Sequence, residues 1–480
     1  MSLRTWFKNL TSSCGLNSLK DRHRSPLRNR DFSHRLLTFE AMEDRSLLSA
    51  LTVLNNLDSG AGSLRADIAA AHSGDTIAFA PSLAGQTITL TSGELLINKN
   101  LTISGPGAGD LTISGNNHSR VFEVGTGTQA TVSGLTISNG FDAQGAGILN
   151  NGTLTLTDSI LSGNSANKVV KKSTLPNAGG AIENRGTLTI AYCQLTGNSA
   201  SLGGGIDNHG SATVNSSTLM GNSVTASGGA IVNQGTLSVN NSTLSNNTAT
   251  SDGGAIDSYG TANVTVAVTG SYLSGNTAVN GSGGAISNHG NLLTVSANST
   301  LSGNHAGNDG GGIATANDPN AKIVVSDSTL SGNSAWAGGG IYTWNVYGTT
   351  AITNCTLSDN TARNAGGAIF VGSATMTVSG STLSGNSANT YGGAIDVFVG
   401  ALKIDSSGLT NNVALVAGGG IYNSSAGPYG TPTVTVENSS SVNGNTAPAG
   451  EGADIYNLGV VYLDSTSSIG IVDGIVVTRI

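Results

Sequence analysis

This 480-residue chain is poor in charged residues, aromatic residues and cysteine. Charged residues make up 10% of it, aromatic residues make up 4%, and there are three cysteines. Three cysteines are too few for a disulfide framework. No run of about 20 apolar residues is present to form a transmembrane helix. We therefore expect neither a disulfide-stabilised module nor a membrane-spanning segment.

The few charges are unevenly placed along the chain. Residues 1–50 carry nine Lys/Arg against five Asp/Glu, whereas residues 51–480 carry eleven against 23. An acidic body repels phosphate backbones and anionic membrane surfaces. The composition thus argues against nucleic acid as a partner.

Glycine is abundant, and much of it lies in one repeated motif. The chain has 69 glycines. Gly-Gly-Ala-Ile or Gly-Gly-Gly-Ile stands at 179–182, 203–206, 228–231, 253–256, 283–286, 310–313, 338–341, 366–369, 392–395 and 418–421. A second motif of the type LSGNSA alternates with it. A period of 20–50 residues is typical of a solenoid, a propeller or an array, and the fixed register of Ile and Leu argues against low-complexity disorder.

Short alternating runs lie between the two motifs, such as GTLTL at 152–156 and GTLTI at 186–190. Each repeat therefore contains three short strand-like segments bounded by Gly or Asn turns. No room remains for crossover helices, so each strand must pair with the same strand of the next repeat. This pattern predicts an all-β fold, a single parallel β-helix of about 12 coils with three short strands per coil.

Equivalent residues of successive repeats should stack into columns. The Ile of the glycine motif forms one column, from Ile148 to Ile455, and the Leu of the second motif forms another, from Leu161 to Leu409. Stacked Asn side chains can hydrogen-bond along such a column. The second motif contains Asn in every copy, which predicts a structural ladder of Asn164, Asn198, Asn222, Asn247, Asn276, Asn304, Asn333, Asn360, Asn386, Asn412 and Asn445.

The glycines and two of the cysteines fit the same scheme. The glycines precede an inward Ile at a sharp turn, where a Cβ would collide with the next coil or forbid a positive φ. Cys193 and Cys355 occupy a position that is Ser in the other repeats, two residues before the column Leu. We interpret them as small buried core residues.

The ends of the chain differ from the repeats. Residues 62–74 read as a short capping helix with Ser63 as N-cap and Gly74 as its end. We divide the chain into a basic export or sorting segment that is disordered or removed (1–50), an N-terminal cap with the first coils (51–115), a repeat β-helix (116–457), and a C-terminal coil or end cap (458–480).

The paired motifs resemble those of a known repeat family. Over residues 145–457 the glycine motif and Leu-x-x-Asn are similar to the GGAI and FxxN repeats of chlamydial-type polymorphic outer-membrane proteins, with Leu at positions such as Leu161 where the family has Phe. The chain also resembles right-handed β-helix proteins of the pectin-lyase-like class. Their N-terminal cap has the form SLRxAI…GDTIxF, which is matched by Leu64, Arg65, Ile68 and residues 74–79.

The N-terminal segment carries a separate resemblance. Glu40, Glu43, Arg45, Leu47 and Leu48 match the LExLExRxLLS motif of planctomycete extracellular proteins. This resemblance implies export to the cell surface or to the extracellular space.

Pectin-lyase-like folds include polysaccharide lyases and hydrolases, so catalytic residues were sought. The repeat body has no Asp-Asp pair, and its Lys/Arg residues are scattered, whereas glycoside hydrolysis needs converging carboxylates. We therefore predict no catalytic residues. His209 and His289 share a repeat position with Arg185, Gln234 and Tyr259, which is typical of an ordinary turn position.

One acidic group is a weak candidate metal site. The position after the column Ile carries Glu183 and Asp207 on adjacent coils, and Asp257 two coils on. Like charges about 5 Å apart repel, and a bound Ca²⁺ would relieve the repulsion. The alternative is a solvated acidic face without a metal or any other cofactor, with Arg185 pairing to Glu183.

The same position carries aromatic residues in the C-terminal half. Tyr342, Phe370, Tyr422 and Tyr456 would form an outward stripe that Trp344 could extend; Tyr347 could extend it as well. Such a stripe can stack on sugar rings or bury a protein contact. Alternatively, the rings only stabilise neighbouring strands.

These observations favour an exported, non-enzymatic β-helix scaffold that acts in cell-surface adhesion or in interaction with an extracellular matrix or polysaccharide. A polysaccharide lyase or hydrolase is the first alternative, and a purely structural surface rod is the second. The expected partner is a polysaccharide or a surface protein, and the oligomeric state stays open.

Overall fold

In the computed structural model, the chain winds through successive coils whose strands all pair in parallel with the equivalent strands of the next coil. The structure describes residues 50–168, 176–260, 263–290, 292–316, 321–344, 348–427, 430–475 and 478–480. This architecture confirms the predicted all-β parallel β-helix. The predicted division of the chain and the sorting role of its first 50 residues stay predictions, since residues 1–49 lie outside the described ranges.

The strands form four parallel sheets, each named here by its sequence character. The isoleucine sheet contains Leu95–Ile97, Phe122–Val124, Ile148–Asn150, Ile182–Asn184, Ile206–Asn208, Ile231–Asn233, Ile256–Tyr259, Ile286–His289, Ile313–Ala316, Ile341–Trp344, Ile369–Val371, Ile395–Val397, Ile421–Asn423, Ile455–Asn457 and Val472–Gly474. The alternating sheet contains Ala50–Val53, Thr76–Phe79, Leu101–Ser104, Gln129–Ser133, Thr153–Thr157, Thr187–Ala191, Ser211–Asn215, Thr236–Asn240, Thr265–Thr269, Leu292–Ser296, Lys322–Ser326, Thr349–Thr353, Thr375–Ser379, Ala401–Asp405, Thr433–Glu437, Val460–Leu463 and Thr478–Arg479.

The other two sheets complete each coil. The leucine sheet contains Gln86–Thr89, Leu111–Ser114, Thr136–Ser138, Ile160–Ser162, Gln194–Thr196, Thr218–Met220, Thr243–Ser245, Tyr272–Ser274, Thr300–Ser302, Thr329–Ser331, Thr356–Ser358, Thr382–Ser384, Gly408–Thr410, Ser441–Val442 and Ser468–Ile469. The short sheet contains Ser165–Ala166, Ser199–Ala200, Ser223–Val224, Thr248–Ala249, Thr277–Ala278, His305–Ala306, Ser334–Ala335, Thr361–Ala362, Ser387–Ala388 and Val413–Ala414.

The coil count and the number of strands per coil differ from the prediction. The isoleucine sheet has 15 strands rather than 12. The three further coils begin with Leu95, Phe122 and Val472, which lack the glycine motif that guided the count. Ten coils also have a fourth, two-residue strand, because the chain resumes an extended path after the ladder Asn.

The predicted apolar columns form the core. Ile148 pairs with Ile182, and Leu161 pairs with Leu195, in the register that continues through the repeats. All four side chains are 0% exposed. Each buried Ile or Leu contributes about 1.5–3 kcal/mol before chain entropy is subtracted. One coil cannot bury these side chains alone, so the stability of each coil depends on its neighbours.

The predicted Asn ladder is continuous and buried. Asn304 is typical: its Nδ2 donates to Asn333 Oδ1 and to the Leu273 carbonyl, both at 2.9 Å. Its Oδ1 accepts from the backbone N and from Nδ2 of Asn276, at 3.0 and 2.9 Å. At the last rung, Asp454 Oδ1 replaces the amide oxygen and accepts both hydrogen bonds of Asn445 at 2.9 Å.

Sequence reasoning missed a second, shorter amide ladder in the isoleucine sheet. Asn150, Asn184, Asn208 and Asn233 are 0% exposed and donate from one coil to the next. The signal was present as Asn two residues after the column Ile in IENR and IDNH, but it is interrupted in later coils.

The two glycines of the motif have different roles. The first adopts a positive φ, which is +68° at Gly366, and favours glycine there. The second leaves no room for a side chain: a Cβ on Gly367 would lie 2.1 Å from the Gly393 carbonyl oxygen of the next coil. The sequence analysis expected glycine either for a positive φ or to avoid a collision with the next coil. The positive φ applies to the first glycine of the motif, and the collision applies to the second.

The capping helix and the cysteines largely follow the sequence pattern. The α-helix, Leu64–Ala70, has the predicted N-cap Ser63, whose Oγ accepts from the Ala66 backbone N. It ends at Ala70 with Ala71 as C-cap, so the predicted end at Gly74 is wrong. A short 3₁₀ helix follows at Pro81–Leu83. Cys193 and Cys355 are free and buried, as core residues should be. Within the described ranges, no helix combines the length and apolar character needed to cross a membrane.

Candidate functional site

The residue after each column Ile, here called the outward position, points away from the core. Most of these side chains are buried, whereas Tyr342, Tyr422 and Tyr456 are half-buried. Glu183 and Asp207 are each 1% exposed and Asp257 is 4% exposed, so the predicted solvated acidic face is wrong. The outward position is buried because the turn formed by the glycine motif folds back over the strand that follows it. A Cβ on Gly145 would lie 2.9 Å from Glu183 Cβ on the next coil.

Two of the three predicted acidic residues come together, and they do so with a histidine. Glu183 and Asp207 are register partners on adjacent strands of the isoleucine sheet. His209 Nε2 lies 3.2 Å from Asp207 Oδ2 and 3.5 Å from Glu183 Oε1. Within the part of the chain that the structure describes, this is the one group of three potential metal ligands whose donor atoms all lie within 4.8 Å.

Glu183, Asp207 and His209 are called the acidic cluster from here on. Arg185 lies beside this cluster and contacts it. Its Nε donates to Glu183 Oε1 at 3.2 Å, as the sequence alternative expected, and its Nη2 donates to Gln144 Oε1 at 2.6 Å. Glu183 Oε2 and Asp207 Oδ1 are buried and have no hydrogen-bond partner. The cluster therefore has unused acceptor capacity.

Burial dominates the electrostatics of the acidic cluster. Desolvation, followed by the neighbouring Asp207 carboxylate, raises the pKa of Glu183 to about 7. The hydrogen bond to Asp207 raises the pKa of His209. Two neighbouring carboxylates in a dry site need compensating positive charge or a proton. Arg185 supplies part of that charge at Glu183.

Asp257, the third predicted acidic residue, lies outside the cluster. Its Oδ1 is buried without a hydrogen-bond partner, and burial raises its pKa to about 6. The neighbouring His289, followed by hydrogen bonds from Ser287 and Ser227, acts in the opposite direction and lowers the pKa. The structure therefore does not bring the three predicted residues into one site.

The predicted aromatic residues form two stacks rather than one stripe. The first stack contains Tyr342 and Phe370, with ring centroids 5.1 Å apart, and Trp344 lies 6.5 Å from Phe370. Phe370 itself is only 9% exposed. Phe398, which the sequence analysis did not single out, extends this stack and is 41% exposed.

The second stack joins Tyr391, Tyr422 and Tyr456, with successive centroids 4.4 and 5.7 Å apart. Asp396 occupies the outward position between the two stacks and is 4% exposed. The stripe is therefore interrupted at one coil. Tyr391 lies three residues before the glycine-motif Ala394, a position that sequence periodicity did not connect to the outward column.

A groove of about 400 Å³ opens beside the first stack. This polar groove is lined by Asp252, Ser282, His289, Asn308, Asp309, Ala314, Tyr342 and Trp344. Ala314 stands at the outward position where the next coil has Tyr342, and this step in side-chain size leaves the space. Burial raises the pKa of Asp309 to about 6, although hydrogen bonds from the Ala337 backbone and from the Tyr342 side chain act in the opposite direction.

A second groove, of about 490 Å³, adjoins the first at Trp344. This apolar groove is lined by Trp344, Gly372, Ser373, Ala374, Thr375, Val399, Gly400, Ala401, Gly430, Thr431 and Thr433. Trp344 lines both grooves, so it is the central side chain of this candidate site. Tyr347 lies outside the described residues.

The fold and these sites define a parallel β-helix with a buried acidic cluster and an aromatic groove. The model of the Chlamydia polymorphic membrane protein (Chlamydia_PMP) repeat matches residues 241–259 and 354–372. Each matched segment runs from a leucine-sheet strand through a ladder Asn to a glycine motif, so the predicted resemblance is confirmed at two coils.

Solved structures with a similar course of the chain are distant in sequence. The catalytic unit of a thermostable GH87 alpha-1,3-glucanase from Streptomyces thermodiastaticus strain HF3-3 is 16% identical with a TM-score of 0.42, covering 83% of this chain and 69% of that one. A PL6 alginate lyase in complex with a trisaccharide is 14% identical with a TM-score of 0.41, covering 88% of each chain. No curated protein matches the chain.

Proposed function

We propose that the chain is an exported β-helix scaffold that binds a polysaccharide at the two grooves around Trp344, without cleaving it. The observation that carries this proposal is the position of Trp344, whose side chain lines both the polar and the apolar groove. Grooves of this size, with apolar walls and a few polar groups, are typical of small-ligand sites. An aromatic ring gives a sugar face a flat apolar surface to contact.

The polar groups of the site favour a neutral polysaccharide. Asp252, Asp309 and Asn308 line the polar groove, and its lining residues include neither Lys nor Arg. Carboxylates accept hydrogen bonds from sugar hydroxyl groups, whereas they repel the carboxylates of a uronate chain. We therefore expect neutral glycans to bind better than polyuronates unless Ca²⁺ bridges the charges.

Export and a surface location belong to the same proposal. They rest on the resemblance of residues 40–48 to an extracellular sorting motif and on the repeat match. Adhesion would follow if the bound polysaccharide belongs to another cell or to a matrix. The test is detection of the chain in washed cells, in their medium and in their cytosol; accumulation in the cytosol alone would contradict export.

The binding test uses the full chain and insoluble neutral and uronate-rich polysaccharides, with and without Ca²⁺. Trp344→Ala should lower retention on a neutral polysaccharide at least tenfold, because stacking is lost in both grooves. Tyr272→Ala is the matched control, since Tyr272 is 56% exposed on the leucine sheet, away from the grooves. Equal retention of both variants, or no retention of the wild type, would overturn the proposal and favour a purely structural rod.

A hydrolase is the second candidate, and Asp309 is the observation that favours it. A carboxyl group with a pKa of about 6 in a sugar-sized groove is suited to protonate a glycosidic oxygen. New reducing ends in the same tubes would support hydrolysis if Asp309→Asn abolished them without reducing retention. Retention without new ends would support the binding scaffold.

A further inference from the structure

The two distances from His209 Nε2 to the carboxylates of the acidic cluster have the spacing of a tetrahedral metal site, and all three donor atoms lie within 4.8 Å of one another. Zn²⁺ bonds to His nitrogen and carboxylate oxygen measure 2.0–2.2 Å, so ligand atoms in a tetrahedral site lie about 3.3 Å apart. His209 Nε2 lies 3.2 Å from Asp207 Oδ2 and 3.5 Å from Glu183 Oε1. Small side-chain adjustments would therefore place all three atoms around one ion.

The unused oxygens of the cluster are an independent observation. Glu183 and Asp207 have side chains that are 1% exposed. One oxygen of each carboxylate, Glu183 Oε2 and Asp207 Oδ1, is buried without a hydrogen-bond partner. Buried carboxylate oxygens normally accept hydrogen bonds or bind a cation, because desolvation is otherwise uncompensated. The oxygens nearest His209 are Glu183 Oε1 and Asp207 Oδ2, so each carboxylate offers the ion one oxygen beside His209 and, after a small rotation, its unpartnered oxygen.

We propose that Glu183, Asp207 and His209 form a binding site for a divalent transition-metal ion, with Zn²⁺ as the best fit. An imidazole nitrogen beside two carboxylates suits Zn²⁺, whereas Ca²⁺ takes six to eight oxygen ligands. The ligand set differs from the one suggested by sequence, since His209 replaces Asp257. The site is independent of the proposed polysaccharide grooves, whose lining residues it does not share.

Arg185 and His209 determine access to the ion site. The His209 side chain is 37% exposed, which gives the ion an entry path and leaves space for a water ligand. Arg185 is 40% exposed and its Nε lies 3.2 Å from Glu183 Oε1. Its positive charge competes with the ion, so its Nε must move away from Glu183 when the ion binds, while Nη2 can keep its hydrogen bond to Gln144.

The test measures metal binding by the full chain after dialysis against a chelator. Calorimetric titration with Zn²⁺ should show one equivalent bound per chain, and Co²⁺ should give the intense visible absorption of a tetrahedral site. His209→Gln should raise the Zn²⁺ Kd at least tenfold, and Arg185→Gln should lower it. His305→Gln is the matched control, because His305 lies on the short sheet and contacts Ser334.

Folding of each variant is checked by far-UV circular dichroism. Glu183→Gln should also weaken Zn²⁺ binding; if that buried variant does not fold, the half-exposed His209 variant decides. Binding of less than 0.1 equivalent of Zn²⁺ by the wild type would overturn the proposal. Equal affinity of the wild type and His209→Gln would overturn it as well.

Discussion

The Asn ladder allows a quantitative prediction at Asn304, which lies near its middle. Asn304→Ala removes four hydrogen bonds, two donated by Nδ2 and two accepted by Oδ1. Each net hydrogen bond contributes about 1 kcal/mol. The partner groups on Asn276 and Asn333 are on residues that are 0% exposed, so water does not replace the lost side chain. We expect a loss of at least about 4 kcal/mol in the free energy of unfolding.

The assay is urea unfolding of the full chain, followed by far-UV circular dichroism. Solenoid coils interact mainly with their neighbours, so the loss can be local; hydrogen exchange therefore provides the second measurement. Faster exchange should concentrate in the coils that contain Leu273, Asn304 and Asn333. Asn167→Ala is the control, because Asn167 is exposed and its amide donates to the hydroxyls of Ser165 and Ser199 rather than to a buried ladder.

A small effect of Asn304→Ala on the free energy of unfolding would contradict this prediction. If Asn304→Ala changed the free energy of unfolding by less than about 1 kcal/mol and left exchange in its coil unchanged, the ladder would not be a source of stability. The Asn167→Ala control should stay within about 0.5 kcal/mol of the wild type, as surface substitutions usually do.

Three further predictions concern the turn, the core and the outward position. Gly367→Ala should cost about 3 kcal/mol or more in urea unfolding, because its Cβ would lie 2.1 Å from the Gly393 carbonyl oxygen; Gly408→Ala, with nothing within 4 Å, should have little effect. Cys193 should react with a thiol reagent only after unfolding, because burial raises its pKa to about 12; rapid labelling of the folded chain would contradict this. Burial raises the pKa of Asp257 from its ordinary value of 3.8 to about 6. Its stabilising contribution is therefore complete below pH 3.8 and is lost as pH rises through about 6. Asp257→Asn should flatten that part of the pH–stability profile by roughly 3 kcal/mol, and an unchanged profile would argue against a buried carboxyl group.

The repeat motifs allowed much of the fold to be predicted because each coil copies the same steric solution. Ile148 and Leu161 recur in register, which is enough to define the core columns and the parallel pairing. The coil count was too low because Leu95 and Phe122 start coils without a glycine motif. The fourth strand was missed because two residues carry no detectable periodicity.

The candidate sites were predicted only in part. Periodicity placed Glu183 and Asp207 on adjacent coils, yet the same reasoning treated His209 as an ordinary turn residue. Its ring reaches the carboxylates because strand residues two apart point to the same side. The polar groove was missed altogether, since Asp252 and Asp309 belong to turns that only the fold brings beside Tyr342.

The sequence by itself determined the parallel coil, the Asn ladder and the buried cysteines, because those features depend on residue type repeated at a constant spacing. Only the tertiary structure decided whether the outward position meets water. The glycine turn folds over that position and buries Glu183 and Asp207, while the small Ala314 leaves a groove beside Tyr342. Burial of this kind depends on the path of neighbouring turns in three dimensions, which no local pattern encodes.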